Sequence, residues 1–150
     1  MSYADLVKNA TARRQSEYFS EGRYLVRVKD FVQGTTRQGK GFIALETVVV
    51  DSNNPEEHFA GSERTWFQDM TKDSAGKNLR GLLVNLLDVP DSQLTDAMID
   101  RAFTLDPSTG RSVLAGSMLV VNARNITTRK GGLFTLCDFA YAPEDATKLP

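Results

Sequence analysis

The chain has almost none of the side chains from which catalytic and metal centres are built: one cysteine, Cys137, and one histidine, His58. A lone cysteine excludes an intramolecular disulfide, which suits a reducing compartment. One histidine and one cysteine cannot assemble a zinc site of the ordinary ligand type. His58 follows Glu56 and Glu57 beside a turn cluster and is expected at the surface. Nothing near it suggests a nucleophile elbow. Cys137 alternates with Thr135 and Phe139 and is expected as buried filler, not as a nucleophile. There is no G-x-x-x-x-G-K-[ST] segment, so P-loop nucleotide hydrolysis is unsupported. Asp88, Asp91, Asp96, Asp100 and Asp106 are spread along a helical stretch and its flanks, unlike an EF-hand. A protein that is not an enzyme, with no metal and no cofactor, is the economical expectation.

Long apolar runs are missing too. Nothing approaches the ~18 consecutive apolar residues of a membrane helix. The opening MSYADLVKNATARRQ lacks the apolar stretch of a secretory signal. A cytoplasmic protein without a membrane partner is expected. Nor is there an excess of either charge: 18 Lys and Arg stand against 19 Asp and Glu, for a net charge of −1. That sum argues against a nucleic-acid partner, but the distribution matters more. Arg23, Arg27, Lys29, Arg37 and Lys40 share one stretch with only Asp30. Arg124, Arg129 and Lys130 share another with no acid. Charges sorted this way allow one basic face on a nearly neutral protein.

What is present is ordinary globular material, 41% hydrophobic and 25% charged. A chain of 150 residues has room for one domain with a real core. Residues 1–21 read as an N-terminal leader or arm. There, Leu6, Val7 and Ala10 suggest a short helical face, and Arg13-Arg14 a basic arm. Residues 23–32 alternate, with Tyr24, Val26 and Val28 on one face and Arg23, Leu25, Arg27 and Lys29 on the other, as a half-buried strand does. A second strand is expected over 42–50, with Ile43, Leu45, Thr47 and Val49 together and Phe42 opposite. A third is expected over 61–68, where Arg64 and Trp66 share a face. The period then changes. Leu79, Leu82, Leu83 and Leu86 predict an amphipathic helix, with Asp73 or Ser74 at its start and Pro90 at its end. A shorter helix is expected over 92–102, then strands over 117–126 and 133–141. The tail APEDATKLP is expected to fray.

Three strands, a helical insertion at about 74–103, then two strands is the order of a five-stranded OB-fold. The fold class expected is therefore mostly β, an OB-fold domain over 22–143 with helices between strands three and four, and a short flexible tail over 144–150.

One pair of segments carries most of the functional expectation. TTRQGKGFIALE (35–46) and TTRKGGLFTLCD (127–138) share Thr, Thr, Arg, Gly and Phe at matching positions. In an OB-fold these would be the two loops that grip an oligonucleotide. Glycine lets backbone N–H groups approach a phosphate, threonine hydroxyls donate to it, and Arg37, Lys40, Arg129 and Lys130 bring charge. Between the tips, Phe42, Trp66 and Phe134 are candidate stacking surfaces, each worth ~1–3 kcal/mol per base. Arg27, Lys29, Arg64 and Arg124 complete the expected nucleic-acid-binding set.

GRYLVRVKDF, then GKGFIALETVVVDS, then a helix-bearing middle and TTRKGGLFTLCDFAYAP resemble the small OB-fold single-stranded DNA-binding proteins that bacteriophages encode. The resemblance covers residues 20–143 and rests on layout and short segments. It implies sequence-tolerant binding of single-stranded DNA, with RNA left open, in replication, recombination or repair. It also implies partner proteins from those processes and residence in a host cytoplasm. One departure is the C-terminus, which carries only Glu144 and Asp145 where many such proteins have an acidic tail. A protein-docking or structural barrel module of a phage or assembly complex is the alternative. It is favoured by the neutral net charge and the acidic insertion.

Overall fold

A computed structural model describes residues 17–150. The expectations for Leu6, Val7, Ala10, Arg13 and Arg14 lie outside the described residues. The elements are β1 (Glu17–Tyr18), β2 (Gly22–Thr35), β3 (Gly41–Ser52), β4 (Glu63–Asp69), α1 (Ala75–Leu86), α2 (Asp96–Ala102), β5 (Met118–Thr127) and β6 (Leu133–Tyr141). All strands join one mostly antiparallel sheet in the order β1-β4-β3-β2-β5-β6. The sheet has six strands where the sequence suggested five. The additional strand, Glu17–Tyr18, pairs parallel with β4 and comes from the stretch expected as leader.

The alternation in each strand decides what the sheet buries. Tyr24, Val26 and Val28 of β2, Ile43, Leu45 and Val49 of β3, Trp66 of β4, and Leu119, Val121 and Ala123 of β5 share one core. Each fully buried Leu or Val contributes roughly 1.5–3 kcal/mol from apolar burial. Register shifts between Leu25/Val26 and between Val28/Asp30 bend β2. The bend curls the sheet into a half-barrel. Its curvature brings β4 against β6, where Trp66 meets Phe139 edge-on at 5.4 Å. No ladder joins β4 to β6 among the described residues; the helix that follows β4 packs against both strands.

Helix α1 covers one end of this core with Leu82, Leu83 and Leu86 buried and Leu79 half-buried, the stripe its spacing predicts. Ser74 occupies the N-cap position but makes no side-chain capping bond. The helix stops where Asp88 turns left-handed at φ 53° and the Val89 N–H donates to Val84 O at 3.1 Å, a Schellman-type ending before Pro90. The shorter α2 starts on Thr95, whose hydroxyl accepts from the Met98 N–H.

The face of β2 opposite the main core is also covered. Leu25 is fully buried with Met118, Val120 and Ala142, and Val50, Ala146 and Leu149 pack on this second cluster. Residues 144–150, expected as a frayed tail, lie along it. The Leu149 N–H donates to Asp51 Oδ2 at 2.8 Å, and Arg23 donates to Pro150 O at 3.2 Å.

His58 is buried, contrary to the surface position expected for it. Its ring lies 4.8 Å from that of Tyr24, and its Nε2–H donates to Glu21 O at 3.2 Å. The loop from β3 to β4 folds inward here because Ser52, itself buried, donates to His58 O at 2.8 Å. The two preceding glutamates describe the loop's exposed side and say nothing about the next side chain.

Candidate functional site

The two matched segments form the same structure. At the β2–β3 tip the Thr36 N–H donates to Lys40 O at 2.8 Å, the Gly39 N–H to Thr36 O at 2.9 Å, and the Lys40 N–H to Thr36 Oγ1 at 3.2 Å. At the β5–β6 tip the Thr128 N–H donates to Gly132 O at 2.8 Å, the Gly131 N–H to Thr128 O at 2.9 Å, and the Gly132 N–H to Thr128 Oγ1 at 3.1 Å. Gly39 and Gly131 hold φ of 79° and 82°. A side chain at either position would be strained, so the shared glycine is a backbone requirement. The shared threonine closes each turn through its hydroxyl. Its role is internal to the turn, beyond the phosphate contact the sequence suggested.

The turn leaves Arg37 and Lys40 exposed on one tip and Arg129 and Lys130 on the other. None of these four forms an ion pair with a described residue. The other cations of the expected set are engaged. Lys29 pairs with Glu63 at 2.6 Å, Arg124 with Asp138 at 3.3 Å, and Arg27 donates to Gly116 O at 3.2 Å. Exposed ion pairs of this kind are worth ~0–1 kcal/mol.

Phe42, the aromatic nearest the first tip, is half-buried on the outer face of β3. It stacks with Phe67 of β4, centroids 5.2 Å apart and planes 25° from parallel. Phe67 is 40% exposed, and the ring of Tyr18, 68% exposed, stands 6.5 Å beyond it. Tyr18 and Phe67 also line a pocket at the β4–β6 seam. Phe134, the aromatic nearest the second tip and 54% exposed, lines it from the other side. The aromatics thus run from one tip, over β3 and β4, to the seam and the other tip.

Trp66 and Arg64 are not on that track. Trp66 is 8% exposed, packed on Phe139, and Arg64 is 6% exposed on the same inward face. Arg64 donates to Glu63 O at 2.9 Å and lies 3.8 Å from Glu17, while its buried Nε finds no partner among the described residues. The outward face of β4 belongs to Thr65 and Phe67. The sequence signal for Phe67 was its place next to Trp66: in a strand, one faces in and the other out. Tyr18 gave no comparable signal, because it lies in a two-residue strand with no measurable period.

Cys137 is half-buried behind the seam. Burial, with the Asp138 carboxylate adding to it, pushes its thiol up to about 12. It is therefore protonated at neutral pH, which suits packing and not nucleophilic attack. Asp69, which begins the turn after β4, is held below the usual carboxylate range by hydrogen bonds from the Thr71 hydroxyl and N–H. Among the described residues no group of three or more His, Cys, Asp or Glu gathers into a metal-binding set. No described helix is long and apolar enough to cross a membrane. No protein-family model and no curated protein matches this chain.

Proposed function

We propose that the chain is an OB-type domain that binds single-stranded DNA with little sequence preference, in replication, recombination or repair. The observation that carries this reading is the pair of like-built hairpin tips, with four exposed cations between them, at the two ends of an aromatic track. Cations at the tips attract the phosphate backbone and hold it in register, while aromatic faces stack on any base. Such a surface selects for bases that are unstacked and accessible, which a duplex does not offer. Affinity without sequence preference follows, because neither a point charge nor a ring face reads a base edge.

The fold supports the same reading. Taken without the two-residue β1, the ladder order β4-β3-β2-β5-β6 with helices between β4 and β5 matches the pairing of a partly open five-stranded Greek-key barrel. In that barrel the second and third strands and the two tips form the oligonucleotide face. Here those strands are β3 and β4, which carry Phe42 and Phe67. The likeness in layout to phage-encoded proteins of this type points the same way.

The test is affinity for an oligothymidine and for a duplex of equal length across a salt series. The reading expects tighter binding to the single strand, with a slope of log affinity against log salt of ~0.7 per phosphate contact. Equal affinity for the two forms overturns the groove. No binding to either favours the protein-docking module.

A further inference from the structure

The curled sheet leaves its seam open between β4 and β6, and a pocket of about 360 Å³ lies there. Tyr18 and Phe67 stand at one wall and Phe134 and Leu136 at the other, with Gln68 and Asn78 supplying amides. We propose that this seam receives one unstacked base of the bound strand, inserted between the aromatic walls. The proposal rests on the single-strand reading and deepens it: the outer face of β3 and β4 supplies a platform, and the seam supplies a socket.

The size and lining suit that occupant. The volume falls near the lower end of the roughly 300–1,000 Å³ of small-ligand clefts, room for one heterocycle and its sugar. The walls are mainly apolar and aromatic, with a few fixed polar groups, as such clefts are. The charge at the mouth narrows the choice. The tip with exposed Arg129 and Lys130 leads directly into Leu133 and Phe134, so the mouth favours a ligand with an anionic backbone over a neutral apolar one. The aromatic track from Phe42 through Phe67 delivers a strand to the same place.

The amides are already oriented. Asn78 donates through Nδ2 to Gln68 Oε1 at 2.9 Å, and Gln68 donates through Nε2 to Asp69 O at 2.9 Å. This chain fixes both side chains and leaves Asn78 Oδ1 to accept and a second N–H on each amide to donate. A wall with both donors and acceptors matches the edge of any base. The socket therefore registers that a base is present and not which base it is.

Trp66, the only tryptophan, lines the pocket from the core side and reports its occupancy. The experiment titrates the full chain with an oligothymidine and with a fully abasic strand of the same length. Affinity is read from the anisotropy of an end label, and occupancy from Trp66 emission. The proposal expects the oligothymidine to quench Trp66 and the abasic strand to bind without quenching. Phe134→Ala, a change at an exposed side chain, should weaken oligothymidine binding about 5- to 150-fold, the worth of one base–aromatic stack. It should leave affinity for the abasic strand unchanged. Oligothymidine binding with Trp66 emission unchanged, and with Phe134→Ala without effect, overturns the socket and leaves the single-strand reading standing. Equal quenching by the abasic strand also overturns the socket. Failure to bind either strand overturns both. In that case a dimer that Phe134→Ala dissolves in sedimentation would assign the seam to a second copy of the chain.

Discussion

Trp66 and Phe67 are adjacent in β4 and face opposite solvents: one the core, the other water. Their truncations should therefore separate stability from binding. Trp66→Ala removes a large ring packed on Phe139 and should cost ~3–5 kcal/mol of unfolding free energy. Phe67→Ala should leave the denaturant midpoint nearly unchanged and weaken oligothymidine binding by ~1–3 kcal/mol. Denaturant unfolding and titration of each variant, shown to be folded, check this; the opposite pattern would return Trp66 to the groove. The same pair shows what was legible at this scale. Alternation placed Arg64 and Trp66 on one face of a strand, and they do share one. Which face turns inward is decided by the neighbouring strands and by Tyr24 and Phe139, and a local pattern of period two contains no such information. In β3 alternation set Phe42 opposite Ile43, Leu45 and Val49 without saying which side is core; those three are buried and Phe42 is half-buried on the other face.

Among the elements, the hairpin tips were the most legible and the seam the least. A tip is set by its own few residues: a threonine whose hydroxyl closes the turn and a glycine at positive φ. Two such tips can be recognised as alike from sequence because their structure is local. The seam depends on how far β2 bends and on where β1 lies, and both follow from contacts distant in sequence. Gly34 illustrates the coupling of tip to track. It is in β2 opposite Phe42, and a Cβ built there would stand 2.8 Å from the Phe42 ring. The far edge of the ring occupies the space beside that glycine while the ring stacks on Phe67. Gly34→Ala should swing the ring away with little change in stability, since the backbone there is one that alanine adopts. Oligothymidine affinity should fall by up to the ~1–3 kcal/mol of a stacking surface. Unchanged affinity with an unchanged midpoint would remove Phe42 from the track.

Over the whole molecule the order of long strands and the place of the helical insertion were legible, because changes of period from two to 3.6 and back mark them clearly. The strand Glu17–Tyr18, the buried face around Leu25, and the inward turn of His58 were not. Each depends on a segment with no period of its own packing onto a distant surface. Net charge was equally uninformative: a value of −1 coexists with four exposed cations at two hairpin tips. If the domain binds single strands as proposed, these tips act together as a clamp. The most direct measurement is oligothymidine affinity across a salt series for Arg37→Glu/Arg129→Glu beside Arg101→Glu/Lys148→Glu. Arg101 and Lys148 are exposed and lie outside both tips, so net charge falls equally in the two double variants. The clamp predicts a large loss from the first pair only, with the salt slope reduced by about 1.4 for two lost phosphate contacts at ~0.7 each. Equal losses from the two pairs, or no loss from Arg37→Glu/Arg129→Glu, would contradict it.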